Sequence, residues 1–90
     1  MNNLDLVVEI KFPCQYPIKI MGRNVDRFED IIMPILERSS PGLCKDSVKR
    51  KLSREGNFIS ITVVLIATGK PQLEQLHLDL KATGLVSLVL

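Results

Sequence analysis

Aromatic residues are scarce: no tryptophan, one tyrosine and three phenylalanines bring them to 4% of 90 residues. Aliphatic side chains must therefore fill the interior. Cysteine is also sparse, and Cys14 and Cys44 match neither a metal-ligand spacing nor a CxxC redox pair. A secreted chain of this size ordinarily carries more bridges, so reduced thiols, a cytoplasmic setting and no metal or other cofactor are expected. A bridge between the two would need loops bent to within roughly 7 Å. The longest apolar run, around residues 61–67, is far short of the roughly 20 residues a membrane span requires. The start, MNNLDLVVEIKF, lacks the basic region and long apolar stretch of a signal peptide. Neither sign of charge dominates: 12 Lys and Arg against 10 Asp and Glu leave +2, which singles out neither nucleic acid nor lipid as a partner.

What is present is enough for a single domain with one modest core. Leu4 to Ile10 alternates apolar and charged residues, as in a short extra strand or an ordered arm, and Pro13 ends it. Residues 1–12 are therefore read as an N-terminal arm and residues 13–90 as the domain. Tyr16 to Gly22 reads as the first true strand, with Ile18 and Ile20 on one face and Lys19 and Met21 on the other. A helix follows, with Phe28, Ile32 and Ile35 on its apolar stripe and Val25 and Leu36 beside them. Asn24 or Asp26 is its cap, and Asp26 with Glu29 has capping-box spacing. Pro34 should kink it near Asp30, and Ser39-Ser40-Pro41-Gly42 stops it.

Two strands flank Gly56-Asn57, a dipeptide suited to a tight hairpin turn. A two-residue loop there places Leu52 opposite Ile61, Arg50 opposite Val63 and Val48 opposite Leu65. Val48, Leu52, Ile59, Ile61, Val63 and Leu65 then share one face, and Lys49, Lys51, Ser53, Ser60, Thr62 and Val64 the other. A slip by one residue would destroy that agreement. Arg50 and Arg54 fall on the apolar face, which is tolerable only on an edge strand. Pro71 opens a second helix with Leu73, Leu76 and Leu80 inward, Gly84 stops it, and Val86 to Leu90 is a last strand. Strand, helix, hairpin, helix, strand is the α+β, ferredoxin-like βαββαβ open-faced sandwich. Right-handed crossovers give an antiparallel sheet of order 4-1-3-2 with both helices on one face.

Catalytic signals are missing from this frame. His77 has no Ser or Cys at a motif spacing, and Asp26, Glu29 and Asp30 sit where a helix N-terminus favours acids anyway. Gly22-Arg23-Asn24 echoes an acylphosphatase anion loop only superficially, and metal-carrier relatives need a CxxC there. No catalytic or metal-binding residue is assigned, and the chain is not read as an enzyme. The open sheet face is mixed: Lys19, Lys49 and Lys51 frame Met21, Thr62 and Val64, with Ile66, Val89 and Phe58 as further apolar members. Such a face suits a protein partner or self-association. Gly22, Arg23 and Asn24, close to a helix N-terminus, are the candidate site for a small-molecule effector. RNA binding is the less favoured alternative. It would use the basic edge strand from Lys45 to Arg54, but the middle strands lack the aromatics that stack bases.

The segment Phe12-Pro13-Cys14-Gln15-Tyr16-Pro17-Ile18-Lys19-Ile20-Met21-Gly22 resembles the signature of the DUF493 (UPF0250, YbeD-like) family of small bacterial proteins. Phe28, Gly56-Asn57-Phe58, Ser60-Ile61-Thr62 and the Val86–Leu90 ending resemble it too, so the likeness covers nearly everything after residue 11. Pro34 and the Leu4–Lys11 lead depart from it. The resemblance implies a ferredoxin-like fold similar to ACT regulatory domains and a bacterial cytoplasmic setting. It supplies no catalytic residues. The expectation is a non-enzymatic, ACT-like regulatory or adaptor domain that binds a small ligand or a protein partner.

Overall fold

The computed structural model describes residues 11–43 and 45–90. The expected alternation at Leu4–Ile10 and the state of the Cys44 thiol lie outside the described residues. The elements are β1 (Cys14–Arg23), α1 (Phe28–Ser39), β2 (Lys49–Leu52), β3 (Phe58–Ala67), α2 (Lys70–Ala82) and β4 (Val86–Val89), with a 3-10 turn at Lys45–Ser47. They form one four-stranded sheet of order β2-β3-β1-β4, every neighbouring pair antiparallel. This is the ferredoxin-like arrangement expected from the sequence.

The period-2 alternation of the two central strands builds the core. Ile18 and Ile20 of β1 and Ile61, Val63, Leu65 and Ala67 of β3 are fully buried on the helix side. Phe28, Ile32 and Leu36, spaced by one helical turn, bring α1 onto them, and Leu76 and Leu80 do the same for α2. Leu43 closes one end. Val48 packs against this core half-buried, whereas Leu52 faces the helices but stays 52% exposed at the edge.

α1 starts at Phe28, and its N-cap is Arg27 with no side-chain cap bond. The expected Asp26–Glu29 capping box does not form, because the cap falls one residue later and leaves Asp26 outside the helix, while the Glu29 carboxylate pairs with Arg50. The helix runs unbroken through Pro34, whose missing N–H falls on the exposed side. In α2, Pro71 occupies the first turn as anticipated.

The hairpin differs from expectation in one respect. Lys49 pairs with Thr62, Arg50 with Ile61, Lys51 with Ser60 and Leu52 with Ile59. The Gly56 N–H donates to the Ser53 carbonyl at 2.9 Å, closing a turn over 53–56, and Ser53 N–H donates to the Phe58 carbonyl at 2.9 Å. Gly56 ends this turn at φ +78, which an L side chain would strain against. Asn57 is an extra loop residue, and its carbonyl accepts from Asn24 N–H at 2.9 Å. The register therefore slips by two positions, not one. Every side chain keeps its face, and only its partner changes.

Candidate functional site

The uncovered face of the sheet can be built row by row. Lys49, Thr62 and Lys19 lie abreast on β2, β3 and β1. Leu90 completes the row: Lys19 N–H donates to its carbonyl at 3.1 Å, and its own N–H donates to Lys19 at 2.8 Å. Lys51, Ser60, Met21 and Leu88 form the next row, then Phe58 beside Arg23. On the other side of the lysine row come Val64 with Pro17, then Ile66 with Gln15. Consecutive rows are about 6.7 Å apart, since side chains on one face recur every second residue.

This face is apolar in two zones. Val64, Ile66, Phe58, Leu88 and Leu90 are between 36% and 66% exposed, with Val64 at the lower limit and Leu90 at the upper. Ile66, Val64 and Pro17 make one zone, and Met21, Leu88 and Phe58 the other. The Lys49–Thr62–Lys19 row separates them. The Arg23 guanidinium stands 6.0 Å from the centre of the Phe58 ring, within cation–π range. A shallow depression of about 200 Å³ opens among Lys19, Met21, Lys51, Ser53, Phe58 and Ser60.

The side-chain charges on this face all have one sign. Lys19, Arg23, Lys49 and Lys51 project from its strands, and no acidic side chain does so among the described residues. None of the four makes an ion pair among them. Other members of the basic run are engaged on the helix side. Arg50 Nη2 donates to Glu29 Oε2 at 2.6 Å while its Nε donates to Oε1, a bidentate pair between β2 and α1. Arg50 thereby holds the Glu29 carboxyl below its ordinary range, chiefly through that hydrogen bond, which outweighs the opposing effect of burial, with its charge adding a smaller push in the same direction. Lys45 Nζ lies 3.0 Å from Glu37 Oε1.

Val89 is a correction. It was expected on the open face, but it pairs with Ile20 and packs against the core. The register shifts between Met21 and Gly22, so Met21 faces Leu88 while Gly22 faces Val86. The bulge leaves Ser87 as the extra residue and turns Leu88 outward, with Val86 and Val89 inward. The odd spacing of Val86 and Val89 was the readable signal, because a regular strand cannot put residues three apart on one face.

Gly22, Arg23 and Asn24 each make different contacts. Gly22 is buried, and a Cβ there would overlap the Leu85 carbonyl and the Phe28 ring, so its role is close packing. Asn24 Nδ2 donates to the Gly56 carbonyl at 2.9 Å, fastening the hairpin loop to the β1–α1 connection. Arg23 alone of the three joins the open face, beside Phe58. On the opposite side, α2 carries an open groove of about 490 Å³ along Leu73, Glu74, His77, Leu78 and Lys81. His77 is exposed there. Among the described residues, no group of His, Cys, Asp and Glu is placed to hold a metal, and no helix is long and apolar enough to cross a membrane.

Residues 8–90 match a family described as a protein of unknown function, DUF493. The chain belongs to the DUF493 family. A UPF0250 protein of Azotobacter vinelandii is 42% identical over 83 residues, covering 91% of this chain and 90% of the relative. One from Pseudomonas aeruginosa is 40% identical over 83 residues, with 91% and 89% covered. A third, from Ruthia magnifica, is 34% identical over 92 residues and covers both chains entirely. Among solved structures, the solution structure of protein HP0495 from H. pylori superposes with a TM-score of 0.76. It covers all of this chain and 94% of that one, at 15% identity, and so speaks to the fold alone. The family is uncharacterised, so membership fixes the architecture and leaves the activity open.

Proposed function

We propose that this domain is a non-catalytic regulatory or adaptor module that docks its partner on the open face of the sheet. One observation carries the reading: the helices bury the central strands on one face, while the other leaves Val64, Ile66 and Phe58 of β3 and Leu88 of β4 exposed, with β1 between them. Exposed apolar residues scattered singly are ordinary, but contiguous ones rimmed by charge are typical of interaction surfaces. The Gly22–Asn24 loop is the weaker seat for a small effector, because Gly22 is packed and the Asn24 amide is already bonded. That moves the binding surface from the loop to the sheet, with Arg23 as the link between them.

The test is site-specific photo-crosslinking. A photoreactive residue replaces Val64 in one version of the full chain and Glu74, on the outer side of α2, in another. Irradiation in extract of the native cell should give adducts at position 64 and few at 74. The reverse distribution, or adducts at neither site, removes the reading.

A further inference from the structure

We infer that the occupant of the open face is an acidic segment of a partner polypeptide, one that sets a carboxylate between two apolar anchors about 13 Å apart. This deepens the docking reading above and rests on it. The spacing follows from the rows. Pro17 and Met21, four positions apart on β1, mark the two apolar zones, and Lys19 stands midway between them. Val64 repeats the first zone on β3, and Leu88 the second on β4.

Charge decides among the occupants. Basic residues on an edge strand are ordinarily explained as protection against stray pairing, and Lys49 and Lys51 on β2 fit that account. Lys19 does not. It lies on an internal strand, with Thr62 on one side and Leu90 on the other, so there is no edge for it to protect. A cation held amid exposed aliphatics, with no acidic side chain on its own face among the described residues, is complementary to an incoming acid. A second copy docked face to face would bring Lys19, Lys49, Lys51 and Arg23 against the same four cations, with no acidic side chain from either strand set to meet them. RNA would find phosphate contacts but little to stack on. Phe58 lies toward one end of the face, and the central positions are Thr62, Val64 and Met21.

The experiment is a selection of displayed random peptides on the intact chain, run in parallel on a Lys19→Glu/Lys49→Glu/Lys51→Glu variant. The wild type should enrich peptides with Asp or Glu between Leu, Ile, Val or Phe. The best of them should bind the variant at least about tenfold more weakly, and more weakly still at high salt. A peptide with those acids changed to Lys should regain affinity for the variant. Lys19→Gln, a milder change, guards against misfolding of the triple variant and should weaken binding in the same direction. Three results would overturn the inference: enrichment indifferent to the lysines, tighter binding of a uridine oligonucleotide than of any peptide, or a dimer in sedimentation that Val64→Glu dissociates. If crosslinking at position 64 persists while the peptides fail, only the acidic chemistry is wrong. If the crosslinks are absent as well, the docking face falls with it.

Discussion

β3 carries Ile61, Val63 and Leu65 on one face and Thr62, Val64 and Ile66 on the other. The first set is fully buried, while Val64 and Ile66 are exposed. Much of the chemistry is shared, and the outcome differs because α1 and α2 both pack on the same side. Hydrophobicity along a strand thus says which residues can be buried, and the helices decide which of them are. The inner face is closed by the chain itself; the outer is left for something else.

That contrast can be broken most forcefully by truncating matched residues. Ile61→Ala should lower the unfolding free energy by about 4 kcal/mol, the cost of a cavity in a packed core. Val64→Ala should cost less than about 1 kcal/mol if its face is solvated. Denaturant titration reads both, and equal losses would mean that the outer face is covered in solution. Gly22→Ala comes next, at about 3 kcal/mol, because the added methyl meets the Leu85 backbone and the Phe28 ring on the inner side. A near-neutral result in the same titration would show that β4 can yield there.

Gln72→Leu should cost about 2 kcal/mol, since it strips the bonds that seal the inner layer at one end. Its Oε1 accepts from Thr68 N–H at 2.7 Å, and its Nε2 donates to the Ser39 carbonyl at 2.8 Å and the Ile66 carbonyl at 3.0 Å. Thermal melts read this loss. The smallest effect concerns acid. Glu29 has a depressed folded-state pKa, so the stability it lends is present above its ordinary value and is lost as pH falls through the folded one. The midpoints of wild type and Glu29→Gln should therefore differ near neutrality and converge on acidification. Parallel curves at every pH would show that the pair contributes through geometry alone.

Much of this was legible in the chain. Alternation at Ile18 and Ile20, and from Ile59 to Leu65, assigned both faces correctly. They survived the misjudged hairpin loop because a shift of two preserves the side of every residue. The loop itself was missed because Ser53, not the Gly56-Asn57 dipeptide alone, sets it: its carbonyl accepts from Gly56, and its Oγ accepts from Phe58 N–H at 3.1 Å. Capping-box spacing misled for a related reason. The cap falls on Arg27, one residue past Asp26, and Glu29 pairs with Arg50, 21 residues away, which no local pattern records. The lysines of the candidate face were visible as a set. Leu88 was not, because the bulge that turns it outward is a property of two strands at once.

The ladder between β1 and β3 has a consequence for the order in which the chain assembles. It pairs Cys14 with Ala67 and Arg23 with Phe58, so α1 and all of β2 lie inside the loop it closes. The β2–β3 hairpin and the helices can form from nearby residues, but this central ladder must first overcome the entropy of that closure. The contrast between the two faces of β3 is complete only once that closure has brought β1 beside it.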